Sequence, residues 1–258
     1  MAQRDIIRTE AVVLRGLDYS ESSRIVTLLT RKRGKTAVLA KGARRTKSKF
    51  GATLQPMAHT QVVFYYKPTR SLQMLSESSH VTTYRTLHDQ LPKITLGLRM
   101  VELTDALISD ENPQPAIFEL LVRVLHRLDA EEERSQTLWP FFQLRLAEAL
   151  GVAPAIRRER VEAVEDTGWL SLADGGVYPI ETHPSTAQQA PRAALRAYAI
   201  LARADLDTVL RMHMTPPVRR RVQELVNAYL RHHFDESIPD RCRTVLAQFQ
   251  QAPSGKAG

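Results

Sequence analysis

"RIVTLLTRKRGKTAVLA", residues 24–40, sets two runs of aliphatic and β-branched residues on either side of a tight polar turn. RIVTLLT (24–30) and KTAVLA (35–40) have strand length, and RKRG (31–34) places a glycine where the chain must reverse. Working outward, EAVVLRGLDY (10–19) precedes this pair, and TQVVFYY (60–66) and LQMLSESSHVTTY (72–84) follow it. Gly16, Gly34, Gly42, Gly51 and Pro68 punctuate the series. Five short strands with few helical signals predict a small barrel over residues 8–84, and a five-stranded OB-type barrel fits best. Alternate residues of VVFYY should face its core, burying about half of those side chains.

From Pro92 the period changes. PKITLGLRMVELTDALIS puts Ile94, Leu98, Val101 and Ile108 on one stripe behind a proline suited to a helix start. PAIFELLVRVLHRLDA repeats the spacing through Ile117, Leu120, Leu121, Val124, Leu125 and Leu128. SQTLWPFFQLRLAEALG offers Ser135 as a cap and Gly151 as a stop. TPPVRRRVQELVNAYLRHHF carries Val218, Val222, Leu225, Val226 and Tyr229. GWLSLADGGVYPI (168–180) reads as two short strands about an Asp-Gly-Gly turn, and THPSTAQQAP (182–191) as a loop. The expected class is α+β and multi-domain: an OB-fold barrel over 1–84, then a helical domain over 85–250 with a hairpin region at about 157–190. The tail 251–258 should be disordered.

The chain's 36 Lys and Arg against 28 Asp and Glu give +8, but the charge is not spread evenly. Residues 1–84 hold 15 basic against 5 acidic side chains, and the remainder is slightly acidic. From Arg31 to Lys49 there are nine cations and no acid; five of them (Lys41, Arg44, Arg45, Lys47 and Lys49) fall within nine positions. Such a one-sided field attracts polyanions. No apolar run approaches the ~18 residues of a membrane span. The opening MAQRDIIRTE lacks a signal-like apolar region, and the single Cys242 gives no disulfide framework, so a cytoplasmic protein is expected.

Catalytic patterns are missing. Gly34-Lys35-Thr36 resembles the end of a P-loop, but the earlier glycine position is Leu29 and a strand follows where a helix is required. His232 and His233 are adjacent on a helix and point about 100° apart, His183 and His213 are remote, and no metal is expected. There is no G-x-S-x-G elbow. Cys242 between Arg241 and Arg243 reads as packing, and Glu131 with Glu133 as a solvated helix end. The protein is expected not to be an enzyme. The basic block remains: its cations alternate with Gly42, Ala43, Thr46 and Ser48, so backbone N–H groups and hydroxyls can also reach phosphates. Tyr19, Phe50, Phe64, Tyr65 and Tyr66 supply rings that could stack bases where exposed. The candidate nucleic-acid surface is Arg31, Arg33, Lys35, Lys41, Arg44, Arg45, Lys47, Lys49 and Phe50, with Gly42 and Gly51 letting the loop lie close to its strand.

Several of these stretches look familiar together. YSESSRIV (19–26), KGARRTKSKFGATLQP (41–56), FQLRLAEALGVAP (142–154) and NAYLRHHF (227–234) resemble the RecO family of bacterial recombination mediators across most of the chain. That resemblance implies an OB fold followed by a helical domain, with no catalytic centre. It implies binding of single- and double-stranded DNA, annealing of complementary strands, and loading of RecA on DNA coated by single-strand-binding protein. The implied partners are RecR, the acidic tail of the coating protein, and in many bacteria RecF, in a cytoplasmic, nucleoid-associated setting. Arg123, Arg127 and Arg145, beside apolar ridges, are candidates to receive that acidic tail. Many relatives carry a four-cysteine zinc site after the LGxAP segment; AIRRERVEAVEDTGWLSLADGGVYPIETHP has no cysteine, so a zinc-free hairpin packed around Trp169, Leu170 and Tyr178 is expected. Two other classes fit the residues alone: an RNA-binding OB factor, and a helical-domain adaptor whose basic loop is incidental.

Overall fold

Along GKTAVLA the side chains alternate strictly: Gly34, Thr36, Val38 and Ala40 are buried, while Lys35, Ala37 and Leu39 are partly exposed. That period of two makes the segment one stave of a barrel. A computed structural model describes residues 5–109, 112–131, 135–179 and 185–234. Its first five strands are β1 (Asp5–Asp18), β2 (Arg24–Thr30), β3 (Gly34–Ala40), β4 (His59–Tyr66) and β5 (Leu72–Thr82). They close in the order β1-β2-β3-β5-β4, with β3 and β5 parallel. Closure depends on the length of β1, whose first half pairs with β4 and whose second half pairs with β2. Charged residues among its first positions conceal this early start, but Ile6 and Ile7 lie opposite Tyr65 and Phe64. Val13, Val26, Leu28, Val38, Val62 and Phe64 fill the interior. In VVFYY, Phe64 and Tyr66 turn inward and Tyr65 is 40% exposed.

The turn between β2 and β3 requires glycine twice over. Gly34 has φ +63°, and a Cβ there would run into the backbone carbonyl of Asn112, which has no flexible end to move aside. Gly34→Ala is expected to lower stability by about 2–3 kcal/mol, measured as a shift in urea midpoint at constant m.

Two helices, α1 (Leu91–Leu107) and α2 (Pro115–Ala130), pack on β1. The first compact unit therefore runs to residue 132, past the change of pattern at residue 84. On α1 the buried face is Lys93, Leu96, Gly97, Met100, Val101 and Thr104, so the stripe expected through Ile94 and Leu98 is displaced and these two are only half-buried. The true stripe has helical spacing but runs through a lysine, a glycine and a threonine, which hydrophobicity alone does not mark.

The second unit, residues 133–258, is built on α3 (Leu138–Ala149), α5 (Arg192–Arg203) and α7 (Pro216–Phe234), with short helices α4 (Arg158–Glu162) and α6 (Leu206–Arg211). Ser135 opens a 3-10 turn and does not cap α3, whose first residue follows Thr137. Gly151 does stop it: at φ +90° it lets its own N–H reach Glu148 and that of Val152 reach Ala147, a Schellman closure. The hairpin forms as β6 (Thr167–Ser171) and β7 (Val177–Tyr178). Leu170 is fully buried, Trp169 and Tyr178 are half-buried, and the Tyr178 hydroxyl donates to Asp174. The segment expected as a loop at 182–191 instead contributes β8 (Ala187–Pro191), which pairs with β6. Alanine, glutamine and proline have weak strand preference, and β8 is an edge strand held by the ladder of its neighbour. Between α3 and α7 the amides of Gln143, Gln223 and Asn227 hydrogen-bond one another inside an apolar core. His183, Glu133, Cys242 and the tail lie outside the described residues.

Candidate nucleic-acid interface

The basic block connects β3 to β4 and caps one mouth of the barrel. Phe50 and Leu54, each 2% exposed, plug that mouth, and Ala43 packs against the same cluster. A short 3-10 turn, Gly51–Leu54, follows the plug. Successive backbone turns order the loop: Arg45 N–H donates to Gly42 O and Ser48 N–H to Arg45 O. Arg44 N–H donates to Ser22 O, tying the loop to the β1–β2 turn. At the other side, Lys49 Nζ donates to Ser76 O of β5 at 2.6 Å. Apolar anchoring from beneath thus leaves the long cationic side chains outside.

Their partners differ. The side chains of Lys41, Arg45 and Lys47 are exposed and make no hydrogen bond or ion pair with any described residue. Arg44 is shared, donating to Ser20 O and standing 3.2 Å from Asp18 Oδ2. Among the described residues Lys49 meets a neutral carbonyl and the face of its neighbour Phe50. These five side chains form the cationic surface.

The other expected members are elsewhere. Arg31, Arg33 and Lys35 belong to the opposite end of β3, about 20 Å away for a seven-residue strand. Arg31 bonds Glu119 Oε1 at 2.6 Å, lies 3.6 Å from Glu10 and covers the Phe118 ring. Beside it His59 is buried, which pushes its pKa below 6.5 against the opposing influence of Glu10. Arg33 lies over Tyr66, 4.4 Å from the ring centroid. Lys35 is drawn inward to Asp105 and to the last carbonyls of α1. Phe50, expected to meet a base, is core, because closing the barrel mouth needs an apolar plug. Gly42 and Gly51 serve the loop by their positive φ and not by close approach: a Cβ on Gly51 would meet nothing within 4 Å, and one on Gly42 only the Arg45 side chain.

Sequence reading missed Arg8. It points outward from β1 and, with Lys49, Gln61, Val63, Glu77 and the serines at 78 and 79, lines a surface cavity of about 290 Å³. Only the outward parity of Arg8 could have signalled it.

The three candidate partner-binding arginines divide between the two units. Arg123 is exposed on α2 and Arg127 half-buried one turn later, both in the first unit. Arg145, in the second unit, donates to Glu148 and to Ala204 O, each at 2.6 Å. It lines a cavity of about 340 Å³ with Ala153, Pro154, Ile156 and Arg203.

Comparison with known proteins matches the barrel to a family described as "Recombination protein O N terminal" over residues 1–84, and the rest to "Recombination protein O C terminal" over 88–241. The chain belongs to the RecO family. It is 62% identical to the DNA repair protein RecO of Salinibacter ruber, with both chains covered in full. It is 31% identical to the DNA repair protein RecO of Anaeromyxobacter sp. (strain K), over 92% of this chain and 95% of that one. The protein of the same name from Bifidobacterium longum is also 31% identical, over 90% and 96%. RecO membership places the chain in DNA repair and recombination, and none of these three relatives is named for a catalysed reaction. No helix among the described residues of this RecO-family chain is long and apolar enough to cross a membrane.

Proposed function

We propose that this protein is a DNA-binding recombination mediator whose barrel holds nucleic acid by its phosphates through Lys41, Arg44, Arg45, Lys47 and Lys49. The observation that carries the reading is the state of Lys41, Arg45 and Lys47: an anchored loop presents three exposed cationic side chains without partners among the described residues. Phosphate contact positions a strand without reading its sequence, so one surface accepts single and double strands alike. By damping the repulsion between two strands it favours their annealing, and with it the loading of RecA on DNA covered by single-strand-binding protein. RecR and RecF enter this reading through family membership alone. The cavity beside Arg145 and Arg203, walled by Pro154 and Ile156, offers charge and apolar surface for an acidic peptide with a hydrophobic end, the chemistry of the coating protein's tail. Arg123 on α2 is a second, more exposed candidate for the same partner.

No cofactor enters the mechanism. Among the described residues the region around β6 and β7 gathers no three metal-binding side chains; its sequence has no cysteine, and Asp174 already accepts from Gly176 N–H and the Tyr178 hydroxyl. One tightly held zinc per chain in elemental analysis would contradict this.

Titrating a labelled oligonucleotide at several salt concentrations tests the main reading. Four or five phosphate contacts predict a log–log slope of about −3 for single strands. In the Lys41/Arg45/Lys47→Ala triple variant the slope should flatten by about 2, with a loss of about a hundredfold in affinity near physiological salt. An unchanged slope would retire the proposed surface.

A further inference from the structure

In the second unit, the arginine placed to receive a carboxylate already holds one. Arg145 stands on α3 with 18% of its side chain exposed, and its Nη1 donates to Glu148 Oε2 at 2.6 Å. The two residues are three apart, so the helix itself sets them side by side. Both line the cavity of about 340 Å³, together with Arg203 and the apolar wall of Ala153, Pro154 and Ile156. Of the described residues that line it, Glu148 alone is acidic. Its carboxylate thus occupies the guanidinium that an anionic ligand in this cavity would need.

The two partners are held with different firmness. Arg145 Nη2 donates to the carbonyl of Ala204, the residue that ends α5, where a cation also meets the negative pole of the helix. Its guanidinium lies 5.4 Å from the centre of the buried Phe141 ring. These contacts fix the guanidinium without help from Glu148, so the Nη1 donor keeps its direction when the carboxylate leaves. Among the described residues the Glu148 side chain has no second partner, and it is 49% exposed. A pair open to water on its acidic side is worth little, because solvent competes for the ions. Exchanging Glu148 for another carboxylate therefore costs little, since the guanidinium is satisfied before and after.

We infer that Glu148 is an internal occupant of the carboxylate seat on Arg145, and that an acidic peptide enters the cavity by displacing it. The inference rests on the reading of this cavity as a peptide site and adds the device that gates it. A ligand gains Arg145 by bringing a carboxylate of its own, whereas a neutral apolar chain leaves Glu148 in place. The contact therefore screens ligands by charge as well as by shape.

The test titrates a fluorescein-labelled peptide of four aspartates followed by leucine and phenylalanine against the full-length protein, with thermal melting to verify the fold of each variant. Glu148→Gln should bind this peptide about threefold tighter than the wild type. Glu148→Asp, whose shorter arm gives up the contact but keeps the charge, should bind it about twofold tighter. A matching peptide with asparagines and an amidated C-terminus should bind all three proteins alike. Unchanged or weaker binding of the acidic peptide by Glu148→Gln overturns the inference. So does a gain in Glu148→Gln that Glu148→Asp lacks, since that is the field of a charge and not an occupied seat. Arg145→Ala and Arg203→Ala, the latter at an exposed position, test the site itself. Weaker binding in either, without a gain in the Glu148 variants, leaves the peptide site standing and the internal occupant wrong. Wild-type affinity in both retires the cavity as a peptide site, and its gate with it.

Discussion

Lys35→Ala is expected to destabilise the protein by about 2–4 kcal/mol and to leave its salt-dependent nucleic-acid binding intact. The lysine is only 14% exposed along its side chain, and its Nζ sits 3.3 Å from Asp105 Oδ1. The same nitrogen donates to Asp105 O at 2.8 Å and Ile108 O at 3.0 Å, the carbonyls that the end of α1 leaves without helical partners. It therefore neutralises a buried carboxylate and caps the negative end of a helix in one contact. Removing it leaves Asp105 with Arg15 alone, which is half-exposed and bonded at 2.9 Å, so the loss falls short of that for a wholly unpaired ion. Urea unfolding measures the effect. Lys35→Met combined with Asp105→Leu should recover part of the stability, because it removes the stranded charge along with the pair. A phosphate contact would add about 0.7 to the single-strand salt slope. Loss of that amount in Lys35→Ala, with normal stability, would return Lys35 to the binding surface.

The same residue marks the limit of what the sequence conveys. Nine cations without an acid between Arg31 and Lys49 look like one ridge when counted along the chain. Folding separates them, because β3 carries the run from one end of the barrel to the other. The acids that quench the first group, Glu10, Asp105 and Glu119, come from β1, α1 and α2. Local sequence contains no sign of those pairings. Phe50 misleads in a related way: an aromatic among lysines looks like a stacking ring, whereas a barrel mouth needs a plug. The strands themselves were legible, since a period of two is a local property, and so was the mouth-capping loop as the longest gap between them. Within the second unit, β8 escaped because an edge strand borrows its conformation from its partner.

Asp129→Ala should loosen the chain where it leaves the barrel for the helices. Asp129 Oδ1 accepts N–H bonds from Thr86 at 2.8 Å and Leu87 at 2.7 Å, and Oδ2 accepts from Arg85 at 3.1 Å. Three consecutive donors between β5 and α1 thus converge on one carboxylate at the end of α2. Beneath them Lys93, 2% exposed, donates to Asp129 O and to the Thr86 hydroxyl. Truncation strands three N–H groups, and because solvent can reach part of the site the expected cost is about 2–3 kcal/mol. Asp129→Asn keeps one acceptor facing Thr86 and Leu87 but turns an amide donor toward Arg85, so about half of that loss is expected. Burial alone would raise the Asp129 pKa; the N–H bonds from Thr86, Arg85 and Leu87 outweigh it and hold the value below the usual 3.8. A carboxylate whose pKa falls on folding adds stability that is complete above its unfolded pKa and is lost as pH falls through the folded one. The wild-type protein should therefore lose stability more steeply than Asp129→Ala as pH drops below about 4, with the two acid-side curves converging. Parallel curves over that range would mean that the three donors find water as readily as they find the carboxylate.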